Sequence, residues 1–292
     1  MANRHFAKLA DVWKHLPLAE ALSIEKPRRY WESHAGSAAY SMSGDAERRY
    51  GVLRFVEVVP ALPRLASSRY FQHLHAMNES GSIETYPGSP LLAMLELGTN
   101  CSYVFCDRDP GSGTDLEAWS TRLGVDARVV ASDGMTALHE ELLATDDTSG
   151  VFAHVDPYDP QLPGPAGLSA LDLAGALIRR GIGLMYWYGY DRPQHRAWAL
   201  DELAARGTGS ELWCGDVMIE SQAEPNVRDD GDLGEATTPG TGFGIVLANV
   251  EQRSVVACAE LGAALSTAYD AAPMPDGTPG RLDFTIATSR AP

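Results

Sequence analysis

Apolar positions recur along this chain in two rhythms, and the alternation of the two predicts its architecture. Residues 7 to 22 place Leu9, Val12, Trp13, Leu16 and Ala19 at helical spacing, and RRYWESHAGSAAY, residues 28 to 40, then reads as a strand running into a small-residue turn. Residues 45 to 82, rich in Arg, Tyr and His, carry apolar groups at roughly helical spacing and stand before YPGSP at 86 to 90, which a helix, LLAMLEL, follows. Three strand-like runs come next, CSYVFCD at 101 to 107, ARVVASD at 127 to 133 and GVFAHVD at 150 to 156, each ending in an aspartate. A helix at about 168 to 180, the runs IGLMYWY and ELWCGDVMI, an acidic stretch from 221 to 240 and GFGIVLANV complete the pattern. Alternation of this kind predicts an α/β fold with a doubly wound, mostly parallel sheet in one domain spanning 1–292, with 45–85 as a helical insertion. The last two apolar runs are expected to pair as a hairpin across the acidic loop.

In open α/β sheets ligands sit beyond the carboxyl ends of the strands, so the run HVDPYDP at 154 to 160 sets Asp156 toward a ligand, unless Asp-Pro here serves only to end the strand. Asp107 and Asp133 close their strands in the same way, and the Asp133–Gly134 dipeptide is also a turn signal. His34 reads either as a ligand contact or as a core histidine. Tyr186, Trp187, Tyr188 and Tyr190 offer ring faces to a cation or pack the core, and Arg48, Arg49, Arg64 and Arg69 are solvated helix faces or a ligand clamp.

The 292 residues, 45% of them hydrophobic, suffice for a large packed core. No apolar run approaches a membrane span and the amino terminus lacks a secretion signal, so no membrane association and a cytoplasmic location are expected. The four cysteines show no paired spacing, and a metal site is not expected. The formal charge of −16 is unevenly spread: residues 1 to 75 carry eleven Lys and Arg against seven Asp and Glu, and the rest twelve against thirty-two. Lys8 and Lys14 in the basic part are a candidate anion site.

The motifs NRHFAKLADVWKH, ESHAG, YPGSP, CDRDP, SDG, DPY and GTGFGIVLAN, in this order, resemble the RlmJ family of S-adenosylmethionine (SAM) dependent methyltransferases, which act on the exocyclic amine of an adenine in large-subunit ribosomal RNA. The resemblance implies a class I methyltransferase fold, Rossmann-like, with its last strand antiparallel. It implies that Lys14 and His15 lie in a segment covering the cofactor, that His34, Gly36 and Ser89 contact it, that Asp107 binds the ribose hydroxyls and that Asp133 and Gly134 bound the adenine. By the same likeness Asp156, Pro157 and Tyr158 are catalytic, the carboxylate accepting a hydrogen bond from the target amine.

The chain also departs from the family. The glycine loop reads HAGSAAY, without a second glycine, and D-P-P-Y has become D-P-Y-D, which brings Tyr158 one residue early and puts Asp159 in the aromatic position. A displaced aromatic and a charge of −16 make nucleic acid an unlikely partner on this reading. The expected reaction is therefore SAM-dependent N-methylation of a small or carrier-bound amine in specialised metabolism. Three alternatives stand beside it: a fold that has lost SAM and closes a nitrogen ring with loss of an anion such as sulfate, with or without a partner protein subunit; a catalytically silent subunit that binds and stabilises a partner enzyme, with the acidic 221–240 loop at the interface; and an rRNA adenine methyltransferase.

Overall fold

The computed structural model describes residues 6–42, 48–78, 81–164, 167–207, 210–220, 239–270 and 281–290. Ten strands follow in chain order: β1 Arg29–Glu32, β2 Ala39–Ser41, β3 Thr85–Pro87, β4 Ser102–Cys106, β5 Asp126–Val130, β6 Val151–Val155, β7 Gly183–Tyr190, β8 Glu211–Glu220, β9 Gly242–Ala248 and β10 Arg281–Arg290. Eight of them form one sheet in the order β10-β8-β9-β7-β6-β1-β4-β5, and β2 pairs with β3 in a separate ribbon. The five strands from β7 to β5 in that order are mutually parallel. Strand β9 runs antiparallel to both β7 and β8, and β10 is antiparallel to β8. The doubly wound, mostly parallel sheet is as expected, and so is the antiparallel pairing of the runs at 211 and 242. The edge strand β10 was not: Leu282, Phe284 and Ile286 alternate with Asp283 and Thr285, but the run is short, and among its described side chains only Leu282 is buried.

The helices of nine or more residues are α1 Leu9–Glu25, α2 Arg69–Met77, α3 Ser89–Leu97, α4 Pro110–Leu123, α5 Ala170–Arg179, α6 Trp198–Arg206 and α7 Gln252–Tyr269. Helix α1 turns a wide apolar face inward, burying Leu9, Val12, Trp13, Leu16 and Leu22, and accommodates Pro17 in its interior. It joins α2, α3 and α7 over one face of the sheet, while α5 and α6 cover the other. Strand alternation divides the cores: Phe152 and Met185 face the α1 side, and Val151, Ala153, Leu184 and Tyr186 face the α5 side. With β6 buried at every position, the centre of the sheet has apolar layers on both faces, as parallel sheets require.

The outer strands are tied by a cross-strand device. Tyr188 on β7 lies opposite Gly244 on β9, which lies opposite Asp216 on β8. The bare glycine lets the ring cross β9, so that Tyr188 donates to Asp216 Oδ2 at 2.9 Å; Tyr190 crosses over Gly242 in the same way and donates to Oδ1 at 2.5 Å. Burial pushes the Asp216 carboxyl up to about 6, against the opposing pull of these hydroxyls and of Arg196. Arg196 in turn bonds Asp283 of β10 at 2.6 Å, fastening the edge strand. A Cβ at position 244 would collide with the Tyr188 ring. Gly244→Val is therefore expected to destabilise the protein by about 3 kcal/mol, the upper end of overpacking costs, as read by urea unfolding.

Candidate active site

The site is assembled at the carboxyl ends of β1, β4, β5 and β6. After β1 the chain turns through Gly36, whose φ of +65° favours glycine. Its loop amides are held by the protein: Ala35 N–H donates to Cys106 O at 2.9 Å, Gly36 N–H to Asp107 Oδ2 at 2.8 Å, Ser37 N–H to the Tyr40 hydroxyl at 2.9 Å and Ala39 N–H to Asp115 Oδ2 at 3.0 Å. Tyr40, stacked on Phe6 with ring centres 4.5 Å apart, supplies the brace where a second glycine was looked for.

Asp107, just past β4, also accepts the Asp109 amide through Oδ1 at 2.7 Å. Asp133, past β5, caps a short helix by accepting Thr136 N–H at 3.0 Å and is bound by Arg108 at 2.6 Å. A Cβ on Gly134 would collide with the Ser33 carbonyl, so only glycine lets the β5 loop lie against the β1 loop. His34, Asp107, Asp133 and Gly134 share the wall of one cavity of about 530 Å³ with Ser33, Arg108 and Met135. Tyr158, 82% exposed, stands at that wall with Asp159 and Leu162. Four residues expected at the site from widely separated parts of the chain therefore do converge.

Asp156 lies beside this cavity rather than in its wall. Its Oδ2 accepts from Lys14 Nζ at 2.7 Å, and Lys14 also meets Asp11 at 3.2 Å and stands 5.5 Å from the centre of the Trp187 ring. Burial pushes the Asp156 carboxyl up, but Lys14, with His154 and His34, holds it below the usual carboxylate range. Burial likewise pulls Lys14 down, and Asp156 and Asp11 outweigh it, raising the ammonium above its ordinary value. Burial lowers His34, against the pull of Asp156, Asp133 and Asp107, so the imidazole meets a ligand neutral near pH 7.

His15 and Ser89 take other places. His15 is buried in the aromatic layer, its Nδ1 2.8 Å from the Tyr86 hydroxyl, and burial, then Lys14 and His154, hold it far below the imidazole range. Ser89 is buried and donates to Glu32 Oε1 at 2.5 Å. Two residues overlooked in the sequence, Glu32 and His154, join that network, although both stand in the motifs ESHAG and HVDPY. Among the described residues no group of His, Cys, Asp and Glu could hold a metal, and no helix is long and apolar enough to cross a membrane.

The sequence model of the family described as "Ribosomal RNA large subunit methyltransferase D, RlmJ" matches residues 25–166. The chain is 26% identical to "Ribosomal RNA large subunit methyltransferase J" of Escherichia coli (strain K12) over 200 residues, which cover 63% of this chain and 67% of that protein. Protein LPL1258 from Legionella pneumophila str. Philadelphia 1 superposes with a TM-score of 0.74 at 19% identity, covering 98% of both chains, and so shares the fold. The resemblance and the fold class inferred from the motifs are thereby borne out. The matching family and the Escherichia coli protein are both described as ribosomal RNA methyltransferases, which overturns the expectation that nucleic acid is an unlikely partner. The net charge misled because it sums over the whole chain, whereas the residues before position 76 carry a positive balance.

Breaking a buried pair strands a charge. Lys14→Met is accordingly expected to destabilise the protein by about 3 to 5 kcal/mol at pH 7. Because Asp156 is depressed in the folded state, its part of the pair's contribution is present above the unfolded aspartate value of about 3.9 and lost as pH falls through the folded one; because Lys14 is raised, its part persists up to about 10.4 and fades only above. Urea unfolding of both proteins at pH 7 and at about pH 3 checks this, the difference between them shrinking in acid.

Proposed function

We propose that this chain, an RlmJ-like relative of the ribosomal RNA large subunit methyltransferases, transfers the methyl group of SAM to the exocyclic amine of an adenine in large-subunit ribosomal RNA. The observation that carries the reading is the convergence of His34, Asp107, Asp133 and Gly134 on one cavity with Tyr158 at its wall and the ionised Asp156 beside it.

The residues present fit the cofactor. About 530 Å³ suits a nucleoside-sized ligand, and each Asp107 oxygen, accepting one amide, keeps a lone pair for a ribose hydroxyl. Asp107 and His34 would hold the sugar side, and Asp133 with the bare Gly134 the adenine side. When bound, SAM supplies a methyl group activated by its sulfonium.

The chain's own part is positioning. Asp156, kept ionised by Lys14, accepts a hydrogen bond from the target amine and turns the nitrogen lone pair toward the methyl carbon. Pro157 ends the strand there and commits the backbone to a turn. Tyr158, exposed after Pro157, offers a ring face on which an extruded base stacks, so its displacement by one residue is absorbed by the loop. Holding the reactants in line supplies up to about 7 to 11 kcal/mol in the best intramolecular cases. A ribosomal substrate is also in keeping with a cytoplasmic setting. The small or carrier-bound amine, the ring closure and the partner subunit have no counterpart in what the relatives are described as doing, and residues 221–238, most of the loop assigned to that subunit, lie outside the described residues.

Incubation of the protein with SAM labelled in its methyl group and unmodified large-subunit ribosomal RNA, followed by nuclease digestion and mass spectrometry, is expected to yield N-methylated adenosine. Asp156→Asn is expected to lower the rate about 100-fold or more while leaving SAM affinity within about threefold. Labelling of a small amine but not of RNA, or full turnover by the variant, would overturn the reading.

A further inference from the structure

The ammonium that neutralises Asp156 has a second anion in reach. Asp11 and Lys14 stand three residues apart on α1, a spacing that puts both on one helix face. Asp11 uses its two oxygens differently: Oδ2 accepts the Lys8 amide at 3.2 Å at the start of the helix, and Oδ1 meets Lys14 Nζ at 3.2 Å. Lys14 reaches on to Asp156 Oδ2 at 2.7 Å. One cation is thus held between two carboxylates, each of the three side chains only 12 to 14% exposed.

Capping accounts for only one of these oxygens, and an asparagine carbonyl would serve it equally. Pairing Lys14 in the resting protein takes one carboxylate, and Asp156 is the nearer. A cation largely shielded from water that loses its partner is costly, however, and methyl transfer makes that demand. As the N–C bond forms and the C–S bond breaks, its electron pair stays on sulfur and the positive charge passes from sulfur to the amine nitrogen. The nitrogen then sheds a proton to Asp156, which returns it to solvent. While Asp156 faces that charge and holds that proton, it cannot also neutralise Lys14. Asp11 can, because it rides on the same helix as Lys14, whereas Asp156 lies 142 residues away in the chain.

We propose that Asp11 is a positioning residue for methyl transfer: it shares Lys14 with Asp156, and it keeps the ammonium paired and in place while Asp156 turns to the amine. The kinetic expectation rests on the methyltransferase reading; the shared cation rests on the contacts alone.

Asp11→Asn keeps an acceptor for the Lys8 amide and removes the charge; Asp11→Glu keeps both. In the full-length protein, Asp11→Asn is expected to lower kcat about tenfold with KM for SAM and for RNA within about threefold, a loss confined to the transfer itself, and Asp11→Glu to stay within about threefold of the wild-type kcat. Thermal unfolding of Asp11→Asn, Asp156→Asn and the double variant is expected to show a Tm loss in the double variant about 3 °C or more beyond the two single losses together, because only there is Lys14 stranded. Wild-type kcat in Asp11→Asn, or an equal loss in Asp11→Glu, would reduce Asp11 to a helix cap, and additive Tm losses would overturn the sharing of Lys14. Coupled Tm losses in a protein that methylates no RNA would instead sink the substrate assignment and leave the sharing in place.

Discussion

The ion pair between Lys14 and Asp156 is the constraint on which the site depends. It joins the first helix to the end of a central strand 142 residues away, and both partners are nearly withdrawn from water. Two charges taken out of solvent pay a large desolvation penalty, and their attraction rarely does more than balance it. What the pair secures is an aspartate held below the usual carboxylate range where burial alone would push it up. Lys14 is delivered there because Leu9, Val12, Trp13 and Leu16 drive α1 onto the sheet, so the charge state of the Asp156 carboxylate is set by helix packing.

The remaining acids follow from parallel strand geometry. Strands β1, β4, β5 and β6 end at one edge, and that edge gathers His34, Asp107, Asp133 and Asp156 regardless of their spacing in the chain. Each is then held by backbone donors or by a counter-charge. The Gly36 amide on Asp107, the Thr136 amide on Asp133 and the Lys14 ammonium on Asp156 fix the carboxylates before any ligand arrives. Preorganisation of this kind is what in-line transfer requires, since a misplacement of about 1 Å costs orders of magnitude in rate.

Elements with a strong rhythm were legible from residue order alone: α1, the strands at 102, 126, 151 and 183, and the hairpin partners at 211 and 242 all lie within a few residues of their expected bounds. The strand at 281 to 290 was not, because its alternation of Leu282, Phe284 and Ile286 with polar neighbours spans only three apolar positions and stands out less than the long apolar runs of the central strands. Placement of side chains failed for a different reason. His15 and Ser89 were assigned to the ligand by likeness to a motif, yet helix rotation turns His15 onto Tyr86, and Glu32 claims the Ser89 hydroxyl. Glu32 and His154 went unseen since their partnership depends on strand register across 122 residues, which no local pattern encodes. The charge argument against nucleic acid failed because a sum over the chain says little about the surface near one cleft.

Both departures from the family motif are resolved by replacement rather than by loss. The loop without a second glycine is braced by Tyr40, whose hydroxyl takes the Ser37 amide and whose ring stacks on Phe6, so backbone freedom at one position is exchanged for a side-chain strut. The shortened D-P-Y-D brings an aromatic one residue nearer the aspartate, and Tyr158 still stands at the cavity wall, exposed directly after Pro157. In each case the requirement is a position in space, a held amide or a ring face at the mouth, and more than one residue pattern satisfies it. Erosion of a short motif is therefore weak evidence that a chemistry has been abandoned when the donors, acceptors and ring faces it served are still in place.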